Sequence, residues 1–175
     1  MKQKRVTQEI FIEVDKLTNS IESRLSGDIF DTEFYQMNVV NKREIKKKDW
    51  LFDWHKEIGY TDREIYKLTI KGNANIIQGL ISLSIEPDHV LIHIIENAKF
   101  NIGKDKAFIG VAGNMFAFAC KKSKEMGYNG YVGFVAKTKL VEHYKKTLGA
   151  QSISSQRMAL DETAAIKLIN QYFKS

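Results

Sequence analysis

Between Glu96 and Ala150 the chain gathers the residue types needed to hold a phosphorylated ligand and to move a proton. Gly110-Val111-Ala112-Gly113-Asn114 is a run of small residues entering an amphipathic helix. Such an entry leaves backbone N–H groups without intrahelical acceptors at the positive end of the helix dipole, where a pyrophosphate is stabilised. Lys104 and Lys106, just upstream, add positive charge. Further on, Glu142-His143-Tyr144-Lys145-Lys146-Thr147-Leu148-Gly149-Ala150 offers Tyr144 as a proton donor. Its other reading is a core tyrosine that anchors its helix through one hydrogen bond. Glu96, at the end of an apolar strand, is positioned as a general base acting directly or through water. It reads equally as a carboxylate closing the strand or as an ion-pair partner of Lys104.

Other chemistries find less support. A phosphate loop of the Walker type needs Gly-Lys-Ser/Thr, whereas Gly113 is followed by Asn114-Met115. A dinucleotide fingerprint needs an acidic residue about twenty positions on, where Asn129-Gly130 stand. His93 and His143 have no partners at metal-ligand spacing, so both read as hydrogen-bonded histidines and no metal is expected. Cys120 falls on the apolar stripe of a helix and should pack as a small hydrophobe.

The elements that must position these groups can be read along the chain. Glu9 to Val14 alternates branched apolar with charged or aromatic residues and predicts a first strand at a sheet edge. Thr18 to Leu25 suits a short helix or a turn, and Phe30 to Met37 an extended segment. Asn41 to Ile58 predicts a helix capped by Asn41, with Ile45, Trp50, Leu51 and Trp54 near one face and a basic run of Lys42, Arg43, Lys46, Lys47 and Lys48. Glu64–Ile70, Ile76–Ile85 and His89–Glu96 predict an antiparallel meander, with Pro87 at the second position of a tight turn. Val90 to Ile95, apolar on both faces apart from His93, belongs in the middle of the sheet.

After the glycines, Ala112, Met115, Phe116, Ala119, Cys120, Ser123 and Met126 form the buried stripe of a helix that Gly127 stops. Tyr131 to Val135 supplies a strand, so strand, turn, helix and strand follow in the order of a right-handed crossover. A helix from Leu140 to Thr147 ends at Gly149, a strand follows around Gln156 to Leu160, and Asp161 opens a last helix from Glu162 to Phe173.

With 175 residues, of which 43% are hydrophobic, the chain suits one domain with a sizeable core. Its single cysteine gives no internal disulfide and fits a reducing, cytoplasmic compartment. Met1 to Arg5 is basic, but no apolar h-region follows and no apolar run is long enough for a bilayer, which argues against secretion and against a membrane partner. A formal charge of +6 favours a nucleotide cofactor as much as it favours a nucleic acid.

The stretch from Ile92 to Ala150 resembles the GNAT superfamily of acetyl-CoA-dependent N-acetyltransferases. That family follows a central strand with a loop of Gln or Arg, two residues, Gly, one residue, and Gly or Ala. Gly110-Val111-Ala112 matches its second half. Ala107 stands at the Gln/Arg position, with Lys104 and Lys106 nearby. Tyr144 to Gly149 is similar to the family's Phe-Tyr-x-x-x-Gly-type signature, while Lys137-Thr138 stands where an asparagine often contacts the pantetheine arm.

The resemblance implies one GNAT-like domain over residues 1–175: an α/β (α+β) fold with a mixed, mostly antiparallel central sheet flanked by helices. It implies acetyl-CoA as cofactor, held by Lys104, Lys106, Gly110, Val111, Ala112, Gly113 and Asn114. It implies direct acetyl transfer to an amine on a small molecule or peptide, with Tyr144 as the catalytic proton donor and strand amides near Ile94 to Asn97 polarising the thioester, while Glu96 is the candidate catalytic base from its place at the strand end. The alternative is a non-catalytic acyl-CoA-binding or protein/RNA-interaction module on the same fold, with free nucleic-acid binding a third choice. The acceptor and the oligomeric state are not encoded in these motifs.

Overall fold

Ten strands and four α-helices are formed within residues 7–173, the part of the chain that the computed structural model describes. In chain order they are β1 (Ile21–Ser23), β2 (Ile29–Phe30), β3 (Thr32–Met37), α1 (Trp54–Ile58), β4 (Glu64–Ile70), β5 (Gly79–Ile85) and β6 (Val90–Asn97), followed by β7 (Phe108–Ile109), α2 (Val111–Glu125), β8 (Val132–Val135), α3 (Val141–Leu148), β9 (Gln151–Ser154), β10 (Arg157–Leu160) and α4 (Glu162–Tyr172). The basic run Met1 to Arg5 lies outside the described residues.

The central sheet has seven strands in the order β3-β4-β5-β6-β8-β10-β9. All neighbours are antiparallel except β6 and β8, which the crossover through α2 makes parallel. β6 is therefore the middle strand, as its apolar run requires. Pro87 takes the second position of the β5–β6 turn, where Glu86 N–H donates to the His89 carbonyl at 2.9 Å. A separate small sheet, β2-β1-β7, ties the start of the chain to the strand leading into α2.

α2 buries Ala112, Met115, Phe116, Ala119, Cys120 and Ser123, but Met126, expected on the same stripe, is 47% exposed because the helix ends there and Gly127 turns the chain at φ +87°. Asp161 caps α4 by accepting from Ala164 N–H at 2.9 Å.

Three sequence expectations are corrected. Asn41 to Ile58 is not one helix: it forms 3-10 turns at Val39–Glu44 and Lys47–Asp49, and α1 begins only at Trp54, where Asp53 accepts from Lys56 N–H. Like charges at Lys42/Lys46 and Arg43/Lys47 sit four apart, where a helix would press them together, and Leu51 is 71% exposed while Ile45 and Trp54 are buried. Asn41 is not the cap: its side chain accepts from Asn38 N–H. Thr18 to Leu25 contains β1 rather than a helix.

The third correction matters most for the site. Residues 9–14 alternate as expected, with Ile10, Ile12 and Val14 buried and Glu9, Phe11 and Glu13 exposed, but they form no edge strand. Their ladder is one parallel bridge, Ile10 to Ala136, in the interior of the fold. Each of the three aliphatic side chains contributes about 1.5–3 kcal/mol by burial.

His93 is the extra residue of a bulge, since Ser82 pairs with Ile94 and Leu83 with Ile92. It is 5% exposed. Ser84 Oγ gives its one proton to Glu86 at 2.8 Å, so it accepts from His93 Nε2 at 2.7 Å, and Nδ1 takes the Thr7 hydroxyl at 3.1 Å. Burial, helped by the Arg63 charge, lowers the pKa of His93 to about 3. The unfolded imidazole takes up a proton below about pH 6.5, whereas the folded one does so only near pH 3. Stability contributed here is full above that window and is lost as pH falls through it, by about 1.4 kcal/mol per unit. Denaturant titrations should show a steeper loss between pH 6 and pH 4 in the native protein than in His93→Gln. Parallel pH profiles would show that the imidazole is not held neutral.

Candidate active site

Gly110 begins α2 in the left-handed region, φ +82°, which favours glycine. The helix has no side-chain cap and no acidic residue in its first turn, so its positive end is left to be matched from elsewhere. Residues 110–114 are all buried. A Cβ on Gly110 would lie 1.9 Å from Thr18 Oγ1, and one on Gly113 would lie 2.2 Å from the Tyr172 hydroxyl. Asn114 receives the Thr32 hydroxyl at 3.5 Å on Oδ1, while its buried Nδ2 has no partner among the described residues. Lys104 is exposed, and Lys106 is bound to Asp15 at 3.1 Å.

What covers these groups is the chain itself. β6 and β8 pair only at Val90–Val132 and Leu91–Gly133, although β6 runs on to Asn97 and β8 to Val135. Residues 7–18 enter the fork this leaves. Thr7 bonds His93 of β6, and Ile10 N–H donates to the Val135 carbonyl at 2.6 Å while its own carbonyl accepts from Lys137 N–H at 2.9 Å. Farther along, Val14 N–H donates to His143 Nε2 at 2.9 Å. Asp15 Oδ1 accepts from Gly110 N–H at 3.2 Å, and Thr18 N–H donates to the Tyr172 hydroxyl at 2.9 Å.

Tyr144 is fully buried against Phe116 and Phe134, and its hydroxyl donates to the Ile12 carbonyl. Burial, with Glu13 nearby, pushes its pKa above the ordinary phenol range. Glu96 lies among Trp54 and the loop before α1, while Tyr144 packs with α2 in the larger core. The Glu96 carboxylate accepts from Leu51 N–H at 2.7 Å, Phe52 N–H at 3.2 Å and Trp54 Nε1–H at 2.9 Å. The hollow of about 480 Å³ bounded by Glu44, Asp49, Trp50 and Phe100 contains neither Glu96 nor Tyr144. The same holds for the hollow of about 850 Å³ over Leu91, Gly133 and Arg157.

Residues 12 to 15 thus contact the glycine loop, Lys106 and Tyr144, while Glu96 is bound to the loop before α1. Phe11 reaches toward Glu96's loop, with its ring 5.6 Å from that of Phe52. A diphosphate at the glycine loop would need the space of Asp15 and Thr18. With this segment seated, the residues do not accept coenzyme A.

Taken as a whole, this architecture aligns with those of solved N-acetyltransferases. This is the fold of the GNAT N-acetyltransferases. Mutant forms of the spermidine/spermine N-acetyltransferase SpeG from Vibrio cholerae align over 78% of this chain and 97% of their own with a TM-score of 0.53 at 13% identity. The ribosomal-protein-S18-alanine N-acetyltransferase of Escherichia coli aligns over 73% and 89%, TM-score 0.50, at 10% identity. AtaTR bound with AcCoA aligns over 79% and 98%, TM-score 0.50, at 12% identity. No family model and no curated protein matches the sequence.

Within this GNAT fold, the groups that cover the glycine loop and Tyr144 escaped sequence reasoning: Asp15, Thr18, Tyr172 and the carbonyl of Ile12. The alternation at Ile10, Ile12 and Val14 announces a buried strand but carries no signal of its partners. His143, read as simply hydrogen-bonded, does bind a backbone N–H, that of Val14.

Proposed function

We propose that the protein is an acetyl-CoA-dependent N-acetyltransferase acting on an amine, and that the conformation described is its closed form. The observation that carries this reading is the fork between β6 and β8 with the glycine-opened α2 beside it, on the GNAT fold. The residues assigned to it are Gly110 to Asn114 with Lys104 and Lys106 for the diphosphate, Tyr144 as proton donor and Glu96 as base for the acceptor ammonium. Tyr144 and Glu96 are at present committed to partners within the chain, so both must be released before they act. Among the described residues no helix is long and apolar enough to cross a membrane, and we place the protein in the cytoplasm, where its one thiol stays reduced.

A thiol-release assay with acetyl-CoA and a panel of small amines and peptide N-termini tests this reading, and amine-dependent release is expected. Tyr144→Phe should slow turnover about 100-fold while changing cofactor affinity little, because a proton donor acts mainly as the thiolate forms. Equal turnover in the two proteins would assign the phenol to packing alone.

The filled fork also favours a second reading, a non-catalytic module on the same fold. Coenzyme binding without thiol release for any amine would support that module over the enzyme.

A further inference from the structure

The segment of residues 7–18 makes contacts of the kind a diphosphate-bearing ligand would make. Asp15 is the acidic residue that α2 lacks in its own first turn: it reaches Gly110 N–H at 3.2 Å from 95 positions away in sequence and Lys106 Nζ at 3.1 Å from 91, and its carboxylate also accepts from Lys16 N–H at 2.8 Å. Ile10 continues the ladder of β8 where β6 has diverged. The Ile12 carbonyl takes the proton of Tyr144. Thr18 sits so close to Gly110 that no side chain fits between them.

We propose that residues 10–18 and coenzyme A are mutually exclusive occupants of the fork, the segment being an intramolecular competitor in which the Asp15 carboxylate takes the place of the diphosphate. This rests on the acetyl-CoA reading of the site. Two consequences follow. The apparent affinity for the coenzyme is the intrinsic affinity reduced by the fraction of molecules whose segment is released. Whatever draws the segment away, such as a partner that binds residues 10–18 in extended form, raises activity without touching the site. Asp15 is the group best placed to act as a latch, because its ion pair with Lys106 is one-fifth exposed on each side and both of its contacts to the loop involve charge.

The test uses the full chain. Isothermal titration with coenzyme A should give an affinity for Asp15→Ala about tenfold or more tighter than for the native protein. Hydrogen exchange on the native protein at saturating coenzyme should show the amides of Ile10, Val14 and Thr18 losing protection, which requires no variant. A second variant, Ile12→Asp, places a charge on the buried face of the segment itself and keeps the titration informative if removing Asp15 alone leaves the segment seated. Equal affinities with the three amides still protected in the complex would overturn the competition and leave the acetyl-CoA reading standing. Failure of a variant with freely exchanging Ile10, Val14 and Thr18 amides to bind at millimolar coenzyme would remove both.

Discussion

Gly110→Ala should lower the melting temperature by roughly 4–20 °C. A left-handed backbone costs an L-residue about 1–2 kcal/mol. The new methyl would also meet Thr18 Oγ1 at 1.9 Å and the Ser20 carbonyl at 2.8 Å, and overpacking of that kind costs about 1–3 kcal/mol. For a chain of this length each kcal/mol moves the midpoint by about 2–4 °C. Gly72→Ala is the control: its φ is +85°, but a Cβ there meets nothing within 4 Å. Only the backbone penalty applies to it, so a calorimetric scan should place it well above Gly110→Ala. If the two midpoints coincide, Thr18 is not seated against the loop in solution.

Glu96→Gln should destabilise the protein by about 2–4 kcal/mol even with no ligand present. One carboxylate receives three donors, from Leu51, Phe52 and Trp54, and hydrogen bonds to charged groups contribute about 1.5–3 kcal/mol each. An amide keeps one acceptor oxygen and turns an NH₂ toward donors that cannot pair with it. Urea titration reads the loss, and Trp54 fluorescence reads its place, since the indole N–H loses its partner. An unchanged midpoint would mean that Glu96 does not anchor this loop, which would strengthen its assignment as a base. A lowered midpoint leaves the kinetic role to be judged at permissive temperature.

Where local pattern decides structure, the sequence was legible. Glu64–Ile70 is bounded by its turns, the apolar run from Val90 identifies the middle strand, and the stripe on α2 together with Gly127 defines a helix and its end. The failures came where distant parts of the chain decide. β1, β2 and β7 are two or three residues each, and the pairing of β1 with β7 joins residues more than eighty positions apart. Asn41 to Ile58 was misread because aromatic spacing suggested a helix that clustered like charges disfavour. Of the candidate site residues, the glycine loop and Tyr144 stand out by motif spacing and Lys106 by its charge beside the loop, and each is contacted by residues 12–15. Asp15 and Ile12 gave no such signal, because a carboxylate and a carbonyl that act through contacts some 95 and 132 residues away look ordinary in sequence.

Cys120, fully enclosed in α2 with its thiol pKa pushed up by burial, makes the protein chemically quiet toward maleimides and disulfide reagents. A cysteine introduced at exposed Glu13 would then be the one position that labels, and a fluorophore there would report directly, molecule by molecule, whether the amino-terminal segment is docked or free.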